Sequence, residues 1–106
     1  MIKTASVEEF EKLIKSWEYE LIDIRTQQEL DFFWVIPWMT KHLDIYTQID
    51  EILSLPKNKK YLIYCYHGNR SWTLLQYMDM EWFENVIDLE WWTENWLASW
   101  KKMVFI

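Results

Sequence analysis

The chain has 106 residues, of which 51% are hydrophobic and 26% charged, so we interpret residues 1–106 as one globular domain with one hydrophobic core. The formal net charge of −6 argues against nucleic acids and anionic membranes as partners. A single cysteine excludes an internal disulfide, and together with two histidines it does not readily supply a zinc site. Because residues 1–6 contain no apolar signal region and no apolar run spans a bilayer, we expect a reducing, cytoplasmic location.

Apolar spacing and capping residues predict helices that alternate with strands along the chain. Ser6 with Glu9 three residues later has the pattern of a capping box. Helices are predicted after Ser6, after Thr26, over 49–55, from Ser71 and after Thr93, and strands over 19–24, 42–45, 61–65 and 85–89. This alternation is typical of an α/β domain with a parallel sheet, whose ligand sites lie beyond the carboxyl ends of the strands.

Cys65 stands between the predicted strand over 61–65 and the predicted helix from Ser71. At such a position, backbone N–H groups and the positive end of a helix dipole favour a thiolate. Arg70 adds a fixed positive charge, and Gly68 allows unusual backbone angles in the loop. We therefore predict a cysteine nucleophile of low pKa beside a bound anion. The alternative is a small buried apolar residue, but such a cysteine needs neither the glycine nor the arginine.

Four motifs in this chain resemble the single-domain rhodanese (thiosulfate sulfurtransferase) family, and the resemblance covers most of the sequence. Residues 21–26 with Glu29 match the family's early D-V-R-x-x-x-E element, and residues 36–37 match its I-P turn. Residues 65–71 match its active-site pattern Cys-x-x-Gly-x-Arg-Ser, and residues 85–90 match its closing N-V-x-x-L element. The resemblance implies a rhodanese-like α/β fold, a five-stranded parallel sheet with helices on both faces.

The same resemblance implies an activity and the residues that carry it. Cys65 would accept sulfane sulfur as a persulfide from an anionic donor such as thiosulfate and pass it to cyanide or a thiol, with a protein as a further kind of acceptor. Arg70 and the loop would bind the donor and stabilise the charged sulfur. The substrate-binding residues carried over by position are Arg70, Tyr66, His67, Gly68, Asn69 and Ser71. No metal and no organic cofactor are implied.

Two alternatives keep this fold but change the function. Phosphatases and arsenate reductases of the same fold have five residues between the cysteine and the arginine, whereas four separate Cys65 from Arg70. The shorter loop suits a single sulfur atom better than a tetrahedral oxyanion. The second alternative is a non-catalytic module that binds a partner protein, and the retained Cys65 argues against it.

The sequence contains nine tryptophans and only one glycine, although ordinary usage of about 7% predicts roughly seven glycines. Only Trp96 fits the family pattern as tryptophan. The others stand where that pattern, a turn, a tight contact or a helix end favours glycine: Trp17, Trp34, Trp38, Trp72, Trp82, Trp91, Trp92 and Trp100. We hypothesise that a glycine-bearing sequence lies behind these eight positions.

Overall fold

A computed structural model describes residues 2–32, 35–65, 70–90, 92–99 and 101, without the side chains of Phe32 and Trp92. Strands and helices alternate along the described chain. In chain order they are β1 (Ile2–Ala5), α1 (Val7–Lys15), β2 (Glu20–Asp23), α2 (Gln27–Phe32), β3 (Lys41–His42), α3 (Ile49–Leu53), β4 (Lys60–Tyr64), α4 (Arg70–Met80), β5 (Asn85–Leu89) and α5 (Trp92–Ala98). No helix within these ranges has the length and apolar character needed to cross a bilayer.

The strands form one five-stranded sheet in the order β1-β5-β4-β2-β3, and every neighbouring pair is parallel. β4 is therefore central, between β5 and β2. Ile63 of β4 lies opposite Asp88 of β5. Cys65 follows β4 directly, so it lies at the carboxyl edge of the sheet, as the sequence predicts. The strand order places it at the centre of that edge.

Helices cover both faces of the sheet, which confirms the predicted fold class. On one face, α1 and α5 pack through Phe10, Ile14 and Trp96 against alternate strand residues such as Leu62 and Ile87. On the other face, α3 and α4 pack against the remaining strand side chains. The buried residues of this second cluster include Ile52, Leu74, Leu75, Met78, Ile63, Cys65 and Val86.

Hydroxyl caps begin the first two helices where the sequence predicts them. The Ser6 side chain accepts a hydrogen bond from the Glu9 N–H at 3.2 Å. Thr26 and Glu29 form a reciprocal pair before α2, since the Glu29 N–H donates to Thr26 Oγ1 at 3.2 Å and the Thr26 N–H donates to Glu29 Oε1 at 3.1 Å. At α5 the prediction is wrong by two residues, because a helix capped by Thr93 would begin at residue 94, whereas α5 begins at Trp92 and contains Thr93.

Two strands differ from the sequence expectation. β1 was not predicted, because it is a four-residue edge strand with only one buried side chain and thus lacks a clear apolar alternation. The segment predicted as a strand over 42–45 does lie along β2, where the Leu43 N–H donates to the Asp23 carbonyl at 3.0 Å. Only Lys41–His42 pairs as a regular ladder.

Of the tryptophans in the described ranges, three adopt left-handed backbone conformations, with φ of 61° at Trp17, 72° at Trp38 and 69° at Trp82. Their side chains are 75%, 49% and 83% exposed, so packing does not explain the choice of a large residue there. A non-glycine residue in this region costs about 1–2 kcal/mol. These three positions therefore favour glycine, in line with the sequence hypothesis.

The other five tryptophans of the glycine hypothesis divide into two groups. Trp72 lies within α4 and Trp92 begins α5, and neither position requires a left-handed angle. Trp34, Trp91 and Trp100 lie outside the described residues.

Candidate active site

The candidate site lies at the carboxyl end of the central strand β4. Cys65 has no exposed surface, and its carbonyl accepts a hydrogen bond from the Thr93 N–H of α5 at 3.2 Å. The Cys65 Sγ–H donates to Ser71 Oγ at 3.5 Å. Cys65 is thus held between the first turns of α4 and α5.

A chain of side-chain contacts continues from Cys65 across two further strands. The Ser71 Oγ–H donates to Asp88 Oδ2 of β5 at 3.0 Å, and the Thr4 Oγ1–H of β1 donates to Asp88 Oδ1 at 2.6 Å. Ser71 is fully buried, and Asp88 is 2% exposed. A carboxyl group is therefore connected to the cysteine through one buried hydroxyl.

The groups around Cys65 have opposite effects on the pKa of its thiol. Burial raises the pKa of the thiol, because the charged form loses its water. Hydrogen bonding with Ser71, through its side chain and its backbone, and the positive charge of Arg70 lower the pKa, while the nearby charge of Asp88 raises it. The net direction is upward, opposite to the low pKa expected from the sequence, since burial and the Asp88 carboxyl outweigh the helix-start donors among the described residues.

Arg70 forms a two-point ion pair with Glu29 of α2. Its Nη1 donates to Oε1 at 2.6 Å and its Nη2 donates to Oε2 at 2.8 Å. The Arg70 hydrogen bond lowers the pKa of Glu29 to about 2, against the opposing effect of burial, and Glu29 in turn raises the pKa of Arg70. The guanidinium carbon lies 5.9 Å from the centre of the Tyr46 ring. Arg70 is therefore fixed beside the site, with its charge shared with a carboxylate.

A second polar cluster lies immediately before α2. Asp23 and Arg25 are fully buried and paired, with Arg25 Nη2 2.6 Å from Asp23 Oδ2. A ring nitrogen of His42 lies 2.5 Å from the Arg25 carbonyl oxygen. Asp23 Oδ1 also accepts a hydrogen bond from the Arg25 backbone N–H at 2.9 Å, so the pair fixes the turn that leads to Thr26 and Glu29. Glu29 in turn holds Arg70.

Of the residues predicted for the site, the structure brings Cys65, Arg70 and Ser71 together. Tyr66, His67, Gly68 and Asn69 lie outside the described residues, so their predicted role in binding the donor stays a prediction.

Three groups near Cys65 were not assigned a role from the sequence. Glu29 belongs to a recognised motif, but the motif does not indicate that it binds Arg70. Asp88 is a charged residue within the apolar run Val86–Leu89, and this position is the one sequence signal that could have indicated its role. Thr4 belongs to the strand that the sequence did not predict. Within the described ranges, no group of three or more His, Cys, Asp or Glu side chains is arranged to hold a metal ion.

Several solved structures share this architecture. A rhodanese-related protein from Thermoplasma volcanium has 24% identity and a TM-score of 0.83, with 98% of this chain and 99% of that chain covered. A rhodanese-like domain protein from Staphylococcus aureus has 27% identity and a TM-score of 0.74, with 89% and 90% covered. A protein from Rhodopseudomonas palustris, described as of unknown function and a possible tyrosine phosphatase, has 19% identity and a TM-score of 0.76, with 96% and 84% covered.

No curated protein matches the sequence. The family model for the rhodanese-like domain matches residues 6–99, which include every element from α1 to α5. This match and the five-stranded parallel sheet agree, and the chain belongs to the rhodanese-like domain family.

Proposed function

We propose that this protein is a thiosulfate sulfurtransferase that moves sulfane sulfur through a persulfide on Cys65. The observation that carries the proposal is the position of the only cysteine, at the carboxyl edge of the central strand and within the electrostatic reach of Arg70. Membership of the rhodanese-like family supports it, since the matched region includes Cys65.

The proposed reaction has two steps. In the first, the Cys65 thiolate attacks the outer sulfur of thiosulfate, a new S–S bond forms at Cys65, and the S–S bond of thiosulfate breaks. Sulfite leaves with the electron pair of the broken bond. In the second, cyanide or a thiolate attacks the outer sulfur of the persulfide, and the Cys65 thiolate leaves. A covalent intermediate of this kind predicts ping-pong kinetics.

Arg70 is already paired with Glu29, and this ion pair bears on which groups contact the anionic donor. A guanidinium in a two-point pair keeps its plane and its position. Its charge acts on Cys65, where it lowers the pKa of the thiol. We propose that this charge stabilises the thiolate and the persulfide, while the loop over 66–69 supplies the direct contacts to the donor. Cys65 has no exposed surface, so the donor reaches the sulfur only when neighbouring groups move.

The test is mass spectrometry of the protein after incubation with thiosulfate. We expect a gain of one sulfur atom on the peptide that contains Cys65, and the gain should disappear on treatment with a thiol. Cys65→Ser is the matched control, because a serine oxygen does not carry a persulfide. An unmodified Cys65 peptide together with hydrolysis of an aryl phosphate would overturn the proposal in favour of the phosphatase alternative. An unmodified peptide without hydrolysis would favour a protein-binding module.

A further inference from the structure

The Ser71 hydroxyl lies between two buried titratable groups, the Cys65 thiol and the Asp88 carboxyl. Its oxygen is 3.5 Å from Cys65 Sγ and 3.0 Å from Asp88 Oδ2. A serine hydroxyl has one proton to donate, and its lone pairs accept. When Ser71 donates its proton to Asp88, it can only accept from Cys65, which must then be a thiol.

The donors around Asp88 define its resting state. Ser71 donates to Oδ2, and Thr4 donates to Oδ1 at 2.6 Å. Both carboxyl oxygens therefore accept hydrogen bonds, as in an ionised carboxylate. If Cys65 simply lost its proton to water, two negative charges would share one buried region, which is costly. A route that forms the thiolate without adding a charge avoids this cost.

We propose that Asp88 takes up, through Ser71, the proton that Cys65 releases when its thiolate forms. The Cys65 S–H bond breaks as its proton moves to Ser71 Oγ, and the former Ser71 proton moves to Asp88 Oδ2. The products are a thiolate that accepts a hydrogen bond from Ser71 and a neutral carboxylic acid. No proton enters or leaves, and the net charge of the group is unchanged. When the thiolate is protonated again, the two protons return along the same path.

Asp88 acts through Ser71 and does not touch the reacting sulfur, so it is a positioning residue for the proposed sulfur transfer, on which this inference rests. Within the described part of the chain, the charge of Arg70 lowers the pKa of Cys65 and that of Asp88 raises it. Burial raises the pKa of Asp88, whereas the hydroxyls of Thr4 and Ser71 lower it. Burial raises the pKa of both groups, and the charge of Arg70 opposes this effect at Cys65.

The test is the rate of alkylation of Cys65 by iodoacetamide as a function of pH. Cys65 is the only cysteine, so the modified protein reports this site alone. While the coupled pair holds one proton, the fraction present as thiolate does not depend on pH. The unchanged protein should therefore show a plateau in rate below the main rise. In Asp88→Asn the plateau should vanish, and the rate should fall about tenfold per pH unit towards acid.

Three further variants separate proton transfer from a structural role. Ser71→Ala interrupts the path and should also abolish the plateau, whereas Ser71→Thr keeps a hydroxyl and should retain it. Thr4→Val removes a donor to the ionised carboxylate, so Asp88 should hold a proton more firmly and the plateau rate should rise. General damage to the packing would instead expose Cys65 and raise the rate at every pH, whereas the loss of this donor should raise the plateau relative to the rate at high pH.

The set of variants tests the proton path from Cys65 to Asp88 even if one variant does not fold. A plateau that persists in Asp88→Asn or in Ser71→Ala would overturn the proton path, as would a lower plateau in Thr4→Val. Iodoacetamide needs no sulfur donor. A plateau that behaves as expected in a protein that forms no persulfide with thiosulfate would therefore overturn the proposed function and leave the proton path standing.

Discussion

Replacing Trp17 and Trp82 by glycine should stabilise the protein. Both residues have positive φ, and their side chains are 75% and 83% exposed, so little buried area is lost. Relief of the left-handed backbone is worth about 1–2 kcal/mol at each position. The greater freedom of glycine in the unfolded chain offsets about 0.4–1 kcal/mol of this gain. The net stabilisation is then about 0.5–1 kcal/mol for Trp17→Gly and a similar amount for Trp82→Gly.

Thermal unfolding followed by circular dichroism measures this effect. For a domain of this size, 1 kcal/mol corresponds to roughly 4–8 °C in melting temperature, so the double variant should melt several degrees higher. Trp72→Gly is the matched control, because Trp72 lies inside α4 and is 38% exposed. Glycine within a helix costs roughly 0.5–1 kcal/mol, so this control should melt lower. If Trp17→Gly and Trp82→Gly also melt lower, the assignment of backbone strain to these two positions is wrong.

Three further predictions concern the site. Cys65→Ser should abolish turnover of thiosulfate and leave the circular dichroism spectrum unchanged, and residual turnover would contradict the assignment of the nucleophile. Arg70→Ala should shift the alkylation profile of Cys65 to higher pH, because the positive charge that lowers the pKa of the thiol is removed, and Arg70→Lys should restore the shift only in part; an unshifted profile would argue against the electrostatic role. The pKa of Glu29 falls from 4.5 to about 2 on folding, so its ion pair contributes stability above pH 4.5 that is lost as the pH falls towards 2. Denaturant unfolding across that range should show a weaker dependence on pH in Glu29→Gln, and an identical dependence would show that the ion pair does not stabilise the fold.

The sequence predicts those parts of the molecule that depend on local patterns. The Ser6 and Thr26 caps, the buried strand β4 and the strand β5 carry clear signals within a few residues, and the Cys65–Ser71 motif identifies the site. The contacts that define the cysteine's surroundings are not local. Thr4 and Asp88 lie 84 positions apart, and Glu29 and Arg70 lie 41 apart. Such pairs depend on the strand order β1-β5-β4-β2-β3, which no short pattern encodes.

The direction of the Cys65 pKa illustrates the same limit. A strand end followed by a helix start favours a thiolate through local donors. Whether these donors determine the pKa of Cys65 depends on how deeply the sulfur is buried and on which charged side chains of neighbouring strands lie close to it. Here Cys65 is fully buried, and Asp88 approaches through Ser71. Both facts follow from packing between α4 and β5.

The left-handed tryptophans have a consequence for which residue types these positions accept. Where φ favours glycine, the usual replacements are asparagine and aspartate, which tolerate this region far better than a bulky aromatic. Selection for a tolerable residue would thus leave a mixture at Trp17, Trp38 and Trp82. Tryptophan at all three positions is not what conformational tolerance alone selects, which agrees with the hypothesis that a glycine-bearing sequence lies behind them. Mass spectrometry of the protein tests this hypothesis, because each glycine in place of a tryptophan lowers the mass of its peptide.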